Sequence, residues 1–282
     1  MIPANFDYEA PRTLTDALTL LQSREDAKIL AGGHSLLPAM KLRLAQPTLL
    51  VDIGRIKDLS YIREAGDRIA IGAMTTHADI AGSQLLRKAS PLLALAAAHI
   101  GDTQVRNRGT VGGSLAQAHP SADYPAAVLA LEAEIVAQSG SGERVIPATS
   151  FFSGMFSTAL RNDEILTEVR VPRTEGQRAN YKKHHHPASG YAVVGVAVLL
   201  KMSGAKIDNA AIGITGVSAI AYRATAVEKA LRGKSTGEFA SASAQAGANV
   251  EFIGDTYASA EYRQHLVTVM TRRALEEAMS KK

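Results

Sequence analysis

The chain has 282 residues, 46% of them hydrophobic and 21% charged, with a formal net charge of +4; this suits a globular protein with a sizeable core, and the interleaving of basic and acidic residues without a basic stripe argues against a nucleic-acid binder. Cysteine is absent, which excludes disulfides, thiol nucleophiles, thiolate metal sites and iron–sulfur ligation by this chain, so any redox chemistry needs a cofactor held without sulfur. The apolar runs at 92–100 and 192–200 are too short to span a bilayer, and the opening MIPANFDYEAP lacks the basic and apolar regions of a secretory signal, so the expected location is cytoplasmic.

Helix and strand patterns alternate from the start. Thr13 and Asp16 form a variant capping box, followed by Leu14, Ala17, Leu18 and Leu21 at helical spacing. Residues 28–31 read as a short buried strand that ends at Gly32-Gly33, and 49–53 and 69–72 read as two more. Ser90 with Pro91 opens a helix running to about His99. The passage 101–125 is long and rich in glycine and polar residues, a pattern that is more often functional than idle. A helix is predicted over 125–132 and a strand over 164–172. Residues 173–180, RTEGQRAN, read as a polar linker and a domain boundary. Beyond it come two adjacent antiparallel strands, 191–201 and 210–217, then helical stretches at 222–232, 238–250 and 261–279. Strands followed by helices suggest a small α+β domain.

Two short motifs carry chemistry. AGGHS at 31–35 follows a strand, and TVGGS at 110–114 repeats its logic. Paired glycines bring bare backbone close to a ligand, successive N–H groups make a concave nest for an anion, and a serine adds a hydroxyl. Either alone is as readily a tight turn; together they can face one pyrophosphate from two sides. No Gly-x-Gly-x-x-Gly run exists, and Gly233-Lys234-Ser235 has Glu228 where a P-loop needs glycine. The histidines at 184–186 alternate faces if extended and converge poorly on one ion, so a solvated loop is expected and no metal site is assigned. No catalytic triad or carboxylate pair is evident.

In order along the chain stand Phe6-Asp7-Tyr8 with Pro11, AGGHSLLP at 31–38, LVDI at 50–53, IGAMTT at 71–76, QVRNRGTVGG at 104–113, PSADYPAA at 120–127 and DEILTEVRVP at 163–172. By these the sequence resembles the FAD-binding medium subunit of the molybdenum hydroxylases, the family of xanthine dehydrogenase and carbon monoxide dehydrogenase. The resemblance covers essentially the whole chain. It implies an α+β protein: a vanillyl-alcohol-oxidase-type (PCMH-like) FAD-binding domain of two α/β subdomains over 1–174, then a C-terminal flavoprotein domain over 178–282 with a three-stranded antiparallel sheet and a three-helix bundle.

The resemblance also implies site residues. Ala31, Gly32, Gly33, His34 and Ser35, with Thr110, Gly112, Gly113 and Ser114, match two pyrophosphate loops. Asp123 matches an acidic contact on the ribose side of FAD, the alternative being a helix cap. Leu166 matches an apolar contact, Lys182 a lysine that reaches the flavin edge, and Tyr191 an aromatic residue shielding one face of the isoalloxazine. Ser114 stands where the family usually has Asn, and Gly190 where it often has Asp. The implied role is electron transfer, with FAD in this chain. A large partner subunit would carry the molybdenum cofactor and a small one two [2Fe–2S] clusters, the whole forming a dimer of heterotrimers. The rival readings are a free-standing FAD-dependent reductase or oxidase with its own small substrate, and an assembly module that has lost FAD.

Overall fold

The computed structural model describes residues 1–280; of the predicted second domain, residues 281 and 282 lie outside the described residues. The chain opens with β1 (Asp7–Glu9), α1 (Leu14–Gln22), β2 (Lys28–Leu30), α2 (Leu36–Lys41) and β3 (Leu49–Asp52). The strands form a parallel sheet in the order β1-β3-β2. As the sequence predicts, the Thr13 hydroxyl caps α1, accepting from the Asp16 amide at 3.1 Å, and Ala17, Leu18 and Leu21 bury against Leu49 and Val51 of β3.

Next come β4 (Ile62–Ala65) and β5 (Arg68–Gly72), then six helices: α3 (His77–Gly82), α4 (Gln84–Ala89), α5 (Pro91–Ala98), α6 (Thr103–Arg108), α7 (Val111–Gln117) and α8 (Tyr124–Ala130). They are followed by β6 (Glu134–Ser139), β7 (Gly142–Pro147), the small hairpin β8 (Phe152–Gly154) with β9 (Ser157–Thr158), and β10 (Ile165–Pro172). These strands build an antiparallel sheet in the order β4-β5-β10-β6-β7. The glycine-rich passage is thus mostly helical. Its two inner helices start at the capping residues Asp102 and Thr110, which accept from the amides of Val105 and Gly113.

The last part holds β11 (Arg178–His185), β12 (Ala192–Ser203), β13 (Lys206–Thr215), β14 (Tyr222–Arg223), α9 (Thr225–Leu231), α10 (Phe239–Ser243) and α11 (Ala260–Ser280). Four sequence expectations are corrected here. The polar stretch to residue 180 is not all linker, because β11 begins at Arg178 and Asn180 is buried, donating to the Ala274 carbonyl at 3.3 Å. The sheet has four strands, not three, since Tyr222 and Arg223 pair with β13 before α9 starts. The helix expected over 238–250 shrinks to α10. His184 and His185 end β11 rather than forming a loop, and among the described residues no cluster could hold a metal ion. No helix among the described residues is long and apolar enough to cross a membrane.

The β11–β14 sheet is buried on both faces, as the unbroken apolar run of β12 requires. Val196, Val198, Leu200, Ile212 and Ile214 face a core shared with α9, α10 and α11. The alternate residues Tyr181, Ala197, Leu199 and Ala211 join the core of the first part, beneath α5 and α8. The approach to α8 is close enough that a Cβ on Gly213 would lie 1.9 Å from the Ala126 carbonyl oxygen. This packing sets the face of β11 that carries Tyr181 and Lys183 against the start of α8.

Candidate cofactor-binding site

β2 delivers the chain into the first glycine loop. Gly33 takes φ +77°, a left-handed turn that favours glycine. The His34 ring nitrogen Nδ1 hydrogen-bonds the Gly32 carbonyl at 3.0 Å, so this histidine ties the loop to itself. Among the described residues, neither carbonyl nor side chain accepts from the amides of Gly33, His34 or Ser35, and the Ser35 hydroxyl does not cap α2. Consecutive unpaired N–H groups at a helix start form a nest for an anion.

The second loop has a different character. The Gly112 amide donates to the Ala73 carbonyl at 2.9 Å and the Ser114 amide to the Thr110 carbonyl at 3.0 Å. The Gly113 amide donates to the Thr110 hydroxyl at 3.2 Å. Its donors are occupied by the fold, so it offers a ligand close approach, the positive end of α7 and the Ser114 hydroxyl rather than an open nest. The loops lock together: a Cβ on Gly32 would sit 2.2 Å from the Arg108 carbonyl oxygen, and one on Gly113 would touch Ala31 at 3.4 Å.

Both loops line one cavity of about 790 Å³. Of the residues the sequence nominates, Ala31 to Ser35, Thr110, Gly112, Gly113, Ser114, Asp123, Leu166 and Tyr191 all lie on its wall. Lys182 does not. Its ammonium pairs with Glu277 of α11 at 2.5 Å, on the other face of β11. The neighbour Lys183 takes the inward direction, because residues along a strand alternate. Asp123 stands at the N-cap position of α8, yet its side chain makes no cap. It accepts from the Tyr181 hydroxyl at 2.5 Å and from the Lys183 ammonium at 2.9 Å, and Lys183 also donates to the His99 carbonyl at 2.9 Å.

Sequence reasoning missed several wall residues. His119 stacks on Tyr191 and meets Phe156 edge-on, with ring centroids 5.1 Å apart. The Phe156 amide donates to the Ala118 carbonyl at 3.2 Å, and both residues are left-handed, at φ +56° and +46°. Burial raises the Tyr191 phenol above the ordinary range. His77, packed beneath the second loop, is held neutral by burial, its pKa lowered to about 4. Glu164 is kept ionised by its bond to Arg144 at 2.6 Å, which pulls its carboxyl down to about 2. No motif marks His119. The pairing of Lys183 with Asp123 had one available signal, the shared parity of Tyr181 and Lys183 on a strand.

Unpaired amides, hydroxyls, a buried carboxylate and an aromatic wall around one cavity of this size define a site for a large anionic cofactor held mainly by backbone. The comparisons give the family. Residues 4–174 match the model described as the FAD binding domain in molybdopterin dehydrogenase, and residues 179–278 match the CO dehydrogenase flavoprotein C-terminal domain. The chain belongs to the FAD-binding medium subunits of the molybdenum hydroxylases, and it is an oxidoreductase subunit. It is 42% identical over 285 residues to the carbon monoxide dehydrogenase medium chain of Hydrogenophaga pseudoflava, covering 100% of this chain and 99% of that one. It is 39% identical to the nicotine 6-hydroxylase medium subunit of Paenarthrobacter nicotinovorans, over 96% of each. Among solved structures, quinoline 2-oxidoreductase from Pseudomonas putida 86 aligns with a TM-score of 0.94 at 32% identity, over 99% of both chains.

Proposed function

We propose that this chain is the FAD-carrying electron-transfer subunit of a heteromeric molybdenum hydroxylase, with the FAD-binding domain over 1–174 and the C-terminal domain over 178–282. The observation that carries the reading is the first glycine loop, whose three consecutive free amides border a cavity also lined by the second loop. The residues fit FAD. Gly33, His34 and Ser35 would receive the pyrophosphate, with the Ser35 and Ser114 hydroxyls beside them. Asp123 would accept from a sugar hydroxyl, using carboxylate lone pairs that its two partners leave open. Leu166 would pack against the ring systems, and Tyr191 would cover one face of the isoalloxazine. When bound, the flavin supplies the redox chemistry by which electrons from a small partner subunit's [2Fe–2S] clusters pass to an external acceptor.

The chain's own residues hold, orient and shield; none acts as a covalent or acid–base catalyst. A large subunit would carry the molybdenum cofactor and the substrate pocket, and the assembly would be a dimer of heterotrimers. The absence of cysteine from this chain accords with clusters housed elsewhere. Native purification tests the reading. Expected are visible flavin absorbance and co-elution with two partner chains in size-exclusion chromatography. A stable monomer active alone on an organic substrate, or protein from flavin-replete cells with no flavin absorbance, would overturn it.

A further inference from the structure

We propose that Lys183 and Tyr181, which belong to the C-terminal sheet, are positioning residues that keep Asp123 an oriented, charged acceptor on the wall of the cofactor cavity. The inference rests on the flavin reading above. It starts from three side chains removed from water together: Asp123 and Tyr181 are 4% and 2% exposed, and the Lys183 side chain is 2% exposed.

A carboxylate in such a place is costly unless it is paired and hydrogen-bonded. Burial pushes the Asp123 carboxyl up, and Lys183 and Tyr181 oppose that push. Each carboxylate oxygen takes one partner: Oδ1 accepts from Tyr181 and Oδ2 from Lys183. This division fixes the plane of the carboxylate and leaves a lone pair on each oxygen for a ligand hydroxyl. Lys183 is itself anchored by the His99 carbonyl at 2.9 Å, so the ammonium cannot swing away without losing a second partner. The other titratable groups around Asp123 are the phenols of Tyr124 and Tyr191, both raised by burial and by the aspartate. The rings of His99 and His119 complete the surroundings, the first 5.6 Å from Tyr181 and the second stacked on Tyr191. Among these groups Lys183 is the cation bonded to the carboxylate.

The two donors and the acceptor come from different parts of the fold. Asp123 starts α8, while Tyr181 and Lys183 lie on β11 of the sheet whose strand β13 closes on that helix at Gly213. A working sugar contact therefore depends on the C-terminal domain, although both glycine loops belong to the first.

The test is FAD affinity as a function of pH, measured on the full-length chain stripped of flavin and retitrated with FAD by fluorescence quenching. In the wild type the affinity is expected to be flat from about pH 6 to about pH 9, because Asp123 stays charged throughout. Lys183→Met lets the buried carboxyl protonate, so FAD binding weakens about tenfold near neutrality and recovers toward the alkaline end. Lys183→Arg restores most of the affinity and the flat profile. Tyr181→Phe removes the second donor without leaving a charge unpaired, gives a smaller loss with the same pH trend, and keeps the test open if Lys183→Met fails to fold. A Lys183→Met protein matching wild type at every pH would overturn the inference alone, as would a loss equal at every pH and not rescued by arginine. A wild-type chain that binds no FAD would overturn the flavin reading and this inference with it.

Discussion

The imidazole of His119 lies flat against the phenol ring of Tyr191, with ring centroids 4.3 Å apart and planes 10° from parallel. The imidazole Nδ1 accepts the Ser121 amide at 3.0 Å, and burial lowers the His119 pKa, so the stacked ring is neutral near pH 7. The stack fixes the plane of Tyr191 at the cavity wall. His119→Ala is expected to keep FAD at wild-type stoichiometry, because it alters neither glycine loop. It should lower stability by about 1 kcal/mol, the worth of one aromatic pair, and let iodide quench the bound flavin more readily. Quenching identical to wild type would show that the stack does not order the shield.

Stability should fall in mild acid because of His77. This residue is 4% exposed, shares a hydrogen bond with Tyr124 at 3.1 Å, and lies against Gly109. Burial lowers its pKa from 6.5 to about 4. A depressed folded pKa means the unfolded chain binds the proton more readily. The contribution is therefore complete above about pH 6.5 and is lost as pH falls toward 4. The shift corresponds to on the order of 3 kcal/mol. Urea unfolding at a series of pH values checks this. His77→Gln, which keeps a polar partner for Tyr124, should flatten the profile in that window, and an unchanged slope would assign the acid sensitivity to other groups.

The two glycine loops should respond differently to the same substitution. At Gly33 a β-branched residue must adopt φ +77° and would crowd Leu37, a strain of about 1–2 kcal/mol, in the loop with free amides. Gly33→Val should fold with a modestly lower Tm and lose FAD. At Gly112 a Cβ would lie 2.6 Å from the Ala73 Cβ and 2.8 Å from its carbonyl oxygen, which accepts the Gly112 amide. Gly112→Val must displace α7 itself, so its Tm should fall further and flavin loss should follow from that. Flavin-to-protein absorbance ratios with thermal melts separate the two effects. Full flavin retention in both variants would remove the loops from the site.

The loops were legible in the sequence because paired glycines before a small hydroxyl residue constrain backbone whatever surrounds them. Four strands of the first part, β2, β3, β5 and β10, were equally plain, as short apolar runs that end at turn residues, whereas β1, β4 and β6 to β9 went unread. What the sequence hid depends on tertiary contacts. The polar residues 178–180 look like linker, but Asn180 finds a buried carbonyl on α11. The stretch 238–250 has helical composition, yet the helix stops at Ser243 and the chain continues in turns, with Ala246 still buried in the C-terminal core. That the two loops differ in free amides was not legible either, since it is Ala73 and the Thr110 hydroxyl that occupy the second set. His119 belongs to no motif and is brought to Tyr191 by the turn after α7.

The choice between Lys182 and Lys183 is the most direct check on strand parity. Resemblance alone assigns the flavin edge to Lys182, whereas the structure turns that side chain outward to Glu277 and sends Lys183 to Asp123. The Lys182–Glu277 pair is about one-third exposed on each side, and an ion pair so open to solvent contributes less than about 1 kcal/mol. Lys182→Met is therefore expected to bind FAD with wild-type affinity, to lower Tm by no more than about 2 °C, and to leave any pH dependence of binding unchanged. Raising the salt concentration should diminish even that small difference, since screening already weakens the pair in the wild type. If Lys182→Met instead loses flavin while Lys183→Met keeps it, the register of β11 against α8 is shifted by one residue, and the inward face of the strand carries Lys182.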